Sequence, residues 1–266
     1  MSGMGVKFLE QQGQVTAGAL PAIKGFIETS LIDWDGYISA VIFLGRCNFE
    51  CPFCHDYELL TGKGPTIPFE SIEEMLLGQK GWVDGVVVTG GEPTSERRIV
   101  ALLERLKSLD LQVKLDTNGS NPEVLRGLIG SGLVDYVAMD IKTSLSGEPV
   151  DSAGTIKYDL AAGRTVDIDA IEESIELLLE GEIDYEFRTT VVPTIVGRHD
   201  VENIARRIAG ARRYFLQPFE PSHARSPLLR KVHPYAPTEM SEMLASARKH
   251  VPQTAVRGKM KSASQI

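Results

Sequence analysis

The sequence predicts an α/β fold, a partial (βα)6 TIM-like barrel with mainly parallel strands. Three observations carry that expectation. Short β-branched apolar runs alternate strictly with amphipathic helical stretches, in six β-then-α units along the chain, and such alternation implies a parallel sheet covered by helices. The runs are apolar at nearly every position, as in strands buried on both faces. Polar motifs follow nearly every run. A doubly wound sheet places its functional loops at one or two strand ends, whereas a barrel collects them from many strands at the C-terminal ends.

In chain order, residues 1–22 carry Gly, Gln and Ala with weak periodicity and read as a tail or cap, residues 23–258 as the barrel domain, and 259–266 as a C-terminal tail. Ile23–Gly36 mixes turn formers with apolar residues and reads as a hairpin leading into the first core strand, Ile38–Leu44. A cysteine-bearing loop follows. Residues 61–68 are a Gly/Pro loop, and Phe69–Leu77 is a helix with an acidic first turn. Gly85–Thr89 is a strand, and Glu96–Leu109 a helix with apolar residues at 99, 102, 103 and 106. The strand Gln112–Leu115 precedes a helix ending at Ile129, with Asn121 as N-cap and Pro122 at its first position. Tyr136–Met139 is the next strand. Residues 143–166, containing Lys157-Tyr158, read as a long irregular loop and a candidate lid. Helix Asp169–Leu179, strand Tyr185–Val192, helix Asp200–Ala209, strand Arg213–Gln217, helix Thr238–His250 and a final strand Thr254–Gly258 complete the chain.

Composition narrows the function classes. No apolar run in the 266 residues approaches a membrane span, and the N-terminus lacks a basic-then-apolar signal pattern, so a cytoplasmic location is expected. The 36 acidic residues exceed the 28 basic ones, a net charge of −8, which argues against a general nucleic-acid or anionic-membrane surface.

All three cysteines fall in Cys47-Asn-Phe-Glu-Cys51-Pro-Phe-Cys54, directly after the apolar run Val41–Leu44. An odd number of cysteines packed into one loop is not a disulfide framework. Three thiolates can hold three irons of a cubane cluster and leave the fourth iron open to an outside molecule, unlike ferredoxin patterns that supply a ligand to every iron. Three other readings stand beside it, one of them three buried structural thiols. Cys51-Pro-Phe-Cys54 has the form of a thioredoxin-like redox pair, which leaves Cys47 unexplained. Zinc held by the three cysteines and His55 needs two adjacent residues on one metal.

Gly90-Gly91-Glu92-Pro93 follows a buried strand. Glycines let a ligand approach the backbone and can take positive φ, and the turn with Glu92 suits an amino group; an ordinary tight turn fits the same residues. Cys47–Cys54, Gly90–Pro93, Asp116–Gly119, Asp140–Lys142, Arg188 and Gln217–Glu220 all fall at or near predicted strand ends. His199, His223, His233 and His250 receive no role.

The pairing of Cys47-x3-Cys51-x-Phe53-Cys54 with Gly90-Gly91-Glu92-Pro93 about forty residues on resembles the radical S-adenosylmethionine superfamily. The resemblance implies a [4Fe–4S] cluster on Cys47, Cys51 and Cys54, with S-adenosyl-L-methionine chelating the open iron and its amino group contacting Gly90, Gly91 and Glu92. Reductive cleavage would give methionine and a 5′-deoxyadenosyl radical that abstracts a hydrogen atom. Over about residues 23–221, Thr29–Gly36, Cys54-His55, Leu115–Gly119, Met139–Lys142 and Tyr185–Thr190 look like activating enzymes of glycyl radical enzymes, nearest the activating protein of anaerobic ribonucleoside-triphosphate reductase. That implies a glycine Cα hydrogen on a partner glycyl radical enzyme as the target, and an electron donor such as flavodoxin or ferredoxin. It also implies Asp116 and Asp140 as ligands of a monovalent cation, Lys142 and Arg188 as catalytic or cofactor-side cations, and Phe53 and His55 against adenine. Taken alone, Asp116 also fits an Asx-type turn with Asn118-Gly119, and Lys142 and Arg188 also fit simple salt bridges. Asp56 departs from the subgroup's usual asparagine, which bears on hydrogen bonding at the adenine side. A small-molecule or other peptide substrate on the same cofactor, and a zinc or thiol-disulfide protein on a barrel scaffold, are the competing functions.

Overall fold

The computed structural model describes residues 20–61, 63–148 and 150–258. The expected tails, 1–19 of the first and 259–266 of the second, lie outside the described residues. The chain divides into two compact units. The first takes the chain to Asn48, with Glu58–Ala138 and Glu182–Asp184; the second holds Phe49–Tyr57, Met139–Gly181 and the chain from Tyr185.

In the first unit Ile23–Gly36 forms no hairpin of its own but one strand and a turn, and the hairpin is made with the core strand itself. β1 (Ile23–Ser30) runs antiparallel to β2 (Ser39–Leu44), with Phe26 opposite Ile42. The pairings that follow are parallel: β2 with β3 (Gly85–Gly90), from Ser39 opposite Gly85 to Leu44 opposite Gly90, and β3 with β4 (Gln112–Thr117). β5 is Tyr136–Asp140, and strand order follows chain order from β1 to β8. Ala40, Val41, Ile42 and Val86–Val88 are at most 1% exposed, as their unbroken apolar runs require. Burying each of these valine and isoleucine side chains contributes roughly 1.5–3 kcal/mol before conformational entropy is counted. Trp34 of the hairpin turn packs on Val41, Val87 and Tyr136, and its ring stacks on Tyr37 at 4.3 Å.

After a short α1 (Tyr57–Leu60), α2 (Phe69–Gly78), α3 (Ile99–Ser108) and α4 (Pro122–Gly130) lie where the periodicity puts them. Residues 93–95, before α3, form a separate 3₁₀ turn. Asn121 sits at the N-terminus of α4 as expected, but its side chain makes no cap there. It donates instead to the Thr94 and Ser95 hydroxyls at 2.9 and 3.0 Å, so the predicted cap is replaced by a cross-link to the turn after β3.

In the second unit β6 (Asp184–Val191), β7 (Tyr214–Pro218) and β8 (Thr254–Val256) pair in parallel. Between β5 and β6 the chain is not irregular throughout. It carries α5 (Lys157–Ala162), then α6 (Ile168–Leu179), which Asp167 caps by accepting from the Asp169 and Ala170 N–H groups. α5 is too short to announce itself by periodicity. Its place is set by Tyr158, Ala161 and Ala162, all fully buried. α7 (Arg198–Arg207) and α8 (Pro237–Ala247) complete the unit. Among the described residues no helix is long and apolar enough to cross a membrane.

Candidate active site

In the first unit the candidate residues sit on the aligned C-terminal ends of β2 and β3. Gly91 N–H donates to the Leu44 carbonyl at 3.0 Å and Glu92 N–H to the Arg46 carbonyl at 2.8 Å, which stitches the glycine turn to the residue before Cys47. This approach is why the turn needs glycines. A Cβ on Gly91 would stand 1.6 Å from the Arg46 oxygen, and Gly90 adopts φ +104°. The carboxylate of Glu92, 1% exposed, is consumed within the protein. Oε1 accepts from Thr94 N–H (3.0 Å), Thr94 Oγ1 (2.5 Å) and Thr117 Oγ1 (2.7 Å), and Oε2 from Asn118 N–H (2.6 Å). Burial pushes its pKa up against these four donors.

Asn48, a residue that sequence reasoning passed over, ties the cysteine segment to the loop after β4. It donates to Ser120 Oγ at 2.7 Å and accepts from Asn118 Nδ2 at 2.9 Å. Asp116 accepts from the Thr89 hydroxyl at 3.2 Å, and buried Lys114, also passed over, places its ammonium 3.9 Å from Asp116 Oδ1. Lys114 left one legible signal. It is a charge inside an apolar strand, two positions from Asp116 and therefore on the same face.

The second unit holds Cys51 and Cys54 in a turn closed by Cys54 N–H donating to the Cys51 carbonyl at 3.1 Å. Two segments distant in sequence brace it. Ser226 and Arg225 N–H groups donate to the Pro52 and Cys54 carbonyls at 2.7 and 3.1 Å, and Glu50 N–H donates to the Ala162 carbonyl at 2.7 Å. Arg225 also pairs with Glu50 at 2.8 Å. Gly163, at the end of α5, has φ +72°, and a Cβ there would lie 2.2 Å from the Glu50 oxygen. Nothing local in the sequence marks these braces. Phe53 is buried and His55 exposed.

Asp140, at the end of β5, carries two cations. Arg188 Nε donates to Oδ1 at 2.8 Å and Lys142 Nζ to Oδ2 at 3.2 Å. Burial opposes ionisation, but Arg188 and Lys142 outweigh it and hold the Asp140 carboxyl at about 2. Burial likewise opposes the Lys142 charge, and Asp140 and Cys51 outweigh it and raise the ammonium above its usual range. The Lys142 backbone N–H donates to the buried Tyr158 hydroxyl at 3.3 Å, which links α5 to this cluster. Burial pushes the Cys51 thiol up to about 11 against the nearby Lys142 charge, and raises Cys54 against the Asp56 N–H.

The stretch after β5 is tied at both ends to Asp200. Ser144 Oγ donates to its Oδ1 at 2.7 Å and Lys157 Nζ to its Oδ2 at 2.6 Å. A cavity of about 660 Å³ in the second unit is lined by Glu50 and Pro52 of the cysteine segment and by Gly154, Thr155, Asp159 and Arg164.

The donor set suits a cluster better than a single ion. None of the three cysteines is in a disulfide. Among the described residues no three His, Cys, Asp or Glu side chains stand as a group that could hold one metal ion. A cubane asks for something different, because each thiolate takes its own iron. Carbonyl and amide groups of the turn are spent on the braces, Lys142 supplies positive charge near Cys51, and the sulfurs are the donors that fit.

An α/β fold of mainly parallel strands, with three cysteines on the loop after β2 and a glycine turn after β3, defines an iron–sulfur enzyme of the radical type. The chain belongs to the radical SAM superfamily, whose family profile matches residues 41–208. Members use a [4Fe–4S] cluster and S-adenosylmethionine. The chain is 31% identical over 244 residues, 88% of its length and 95% of the relative's, to a Methanocaldococcus jannaschii protein whose name proposes it as a glycyl-radical enzyme activating enzyme. It is 26% identical over 199 residues to the 7-carboxy-7-deazaguanine synthase of Thermococcus kodakarensis, covering 66% of this chain and 72% of that one. Among solved structures, Streptococcus suis SuiB bound to its precursor peptide SuiA aligns with TM-score 0.61 at 15% identity over 80% of this chain; the match spans 47% of the SuiB chain. TYW1 with a lysine-pyruvate adduct aligns with TM-score 0.55 at 14% identity, over 79% of this chain and 73% of that one. These likenesses bear out the partial barrel fold class.

Proposed function

We propose that this chain activates a glycyl radical enzyme, an anaerobic ribonucleotide reductase, by abstracting a glycine Cα hydrogen on that partner in an anaerobic cytoplasm. The observation that carries this reading is the near full-length likeness to the Methanocaldococcus jannaschii protein. Cys47, Cys51 and Cys54 would hold three irons of the cluster, a reading supported by three cysteines within eight residues, none in a disulfide, and a braced Cys51–Cys54 turn. When bound, the cluster supplies the electron that cleaves S-adenosylmethionine to methionine and the 5′-deoxyadenosyl radical.

The chain's own residues bind and orient. Because the Glu92 carboxylate is taken up by Thr94, Thr117 and Asn118, its part is to shape the turn, and contact with the cofactor's amino group falls to the backbone of Gly90 and Gly91. Lys142, ion-paired with Asp140 beside Arg188, offsets thiolate charge near Cys51 and orients the cofactor's carboxylate. Phe53 and His55 sit against adenine. Flavodoxin or ferredoxin delivers the electron. The cavity beside Glu50 and Pro52 offers an approach for a peptide segment of the partner, with the stretch from 143 to 166 as its lid.

The test is anaerobic. Reconstituted, reduced chain is mixed with S-adenosylmethionine and the candidate reductase, and electron spin resonance is recorded. A glycyl doublet that disappears with Cys47→Ala is the expected result. No doublet with any glycyl radical enzyme of the source organism, alongside 5′-deoxyadenosine formation that depends on a small molecule, would move the chain to the small-molecule branch.

A further inference from the structure

Lys114 lies in β4 with a side chain 1% exposed. Its ammonium donates to the Asp33 carbonyl at 2.5 Å, stands 3.9 Å from Asp116 Oδ1, and lies 5.5 Å from the centre of the Tyr136 ring. The carbonyl it uses is itself fixed. The Ser30 hydroxyl donates to Asp33 Oδ2 at 2.5 Å and accepts from the Ile32 and Asp33 N–H groups at 3.2 and 3.3 Å, which locks the hairpin turn. Thr89 holds the other oxygen of Asp116. All of these residues belong to the first unit.

We propose that Lys114 is the built-in counterion of Asp116 and fills the electrostatic role that the family resemblance gives to a monovalent cation, so that the chain binds S-adenosylmethionine without added Na⁺ or K⁺. A carboxylate withdrawn from water needs a positive partner, and here a lysine fixed by the hairpin provides one. A second cation on the same carboxylate would face that ammonium through a poorly screening interior and be repelled. The second unit treats its own aspartate alike, with Arg188 and Lys142 on the two oxygens of Asp140. Each aspartate that the resemblance names for the cation thus has a protein cation beside it. The inference rests on the family's use of S-adenosylmethionine and not on the glycyl radical reading, so the partner enzyme has no part in its test.

Equilibrium dialysis of S-adenosylmethionine with anaerobically reconstituted chain is run in choline chloride, NaCl and KCl at equal ionic strength, for the wild type and for Lys114→Ala and Lys114→Gln. Thermal midpoints are recorded in the same salts. The expected wild-type Kd is the same within twofold in all three salts. The variants bind at least tenfold more weakly in choline chloride and recover at least fivefold in NaCl or KCl. A wild-type Kd that improves tenfold or more with either salt overturns the proposal, as do folded variants no more salt-responsive than the wild type. Where neither variant folds by circular dichroism, the wild-type salt series decides alone.

Discussion

Arg188 donates from Nε to Asp140 Oδ1 across 2.8 Å, joining the middle of β6 to the end of β5. The bond sets the charge state of a carboxylate whose side chain is 28% exposed. The Asp140 carboxyl lies at about 2, below its unfolded value of about 3.9, so the stability it contributes is present above about pH 4 and is lost as pH falls toward 2. Arg188→Met leaves Lys142 as the partner on the other oxygen. We expect a loss of about 2 kcal/mol at pH 7, shrinking below pH 3, in urea titrations at the two pH values. S-adenosylmethionine cleavage should fall tenfold or more.

Gly91 and Gly130 separate a glycine that packing demands from one that it tolerates. A Cβ on Gly91 would overlap the Arg46 carbonyl at 1.6 Å, and backbone cannot move aside as a flexible side chain can. A Cβ on Gly130, the last residue of α4, meets nothing within 4 Å. Gly91→Ala should therefore cost more than about 3 kcal/mol or prevent folding. Gly130→Ala should be neutral or stabilise by up to about 1 kcal/mol. Thermal melts of the two variants side by side check both expectations.

Those two glycines also mark what sequence could and could not reveal. The strands were legible because Ala40–Leu44 and Val86–Val88 are apolar without interruption, and α3 because 99, 102, 103 and 106 fall on one face and are all buried. The chemistry-bearing loops were legible as motifs following strands. What escaped was whatever depends on a distant partner. α5 is one and a half turns whose register comes from burying Tyr158, and Asn121 makes no cap because its amide NH₂ is drawn to the Thr94 and Ser95 hydroxyls. The braces from Arg225 and Ser226 reach the cysteine turn from about 170 residues away through backbone amides, which no side-chain pattern records. Glu92 was legible as important, but not that its carboxylate is spent inside the turn.

Glu92 makes a sharper prediction than a charge count would. Its four hydrogen bonds all arrive as donors, three on Oε1 and one on Oε2. A glutamine can keep its oxygen toward the threonines, but its NH₂ group then meets the Asn118 N–H donor to donor. Glu92→Gln should cost about 1–3 kcal/mol. Because burial raises the wild-type carboxyl above its unfolded value, the wild-type advantage is greatest below that value and declines as pH rises through the folded one. Urea midpoints of both chains from pH 4 to pH 8 would show the gap narrowing, and a gap that widens with pH would contradict this reading.

Asp200 clamps both ends of the 144–157 segment within the stretch that we assign as a lid. It accepts from Ser144 at one end and Lys157 at the other, and from the Gly197 N–H at the start of α7. Burial opposes its charge, but Lys157, the Gly197 amide and Ser144 outweigh it, so its carboxyl lies below the ordinary value and the clamp loosens only as pH falls below that value. Between the clamped ends the chain turns on itself, with Val150 N–H donating to the Thr155 carbonyl at 2.7 Å and Asp151 accepting from the Ala153 and Thr155 N–H groups. Asp200→Asn removes the ion pair with Lys157 while keeping the side chain's shape. We expect the amides of 150–155 to exchange hydrogen at least tenfold faster, with those of β3 in the first unit unchanged. Such local release is what a lid hinged on one carboxylate requires. Uniform acceleration across the whole chain would instead make Asp200 a general support of the fold and remove the hinge from the mechanism.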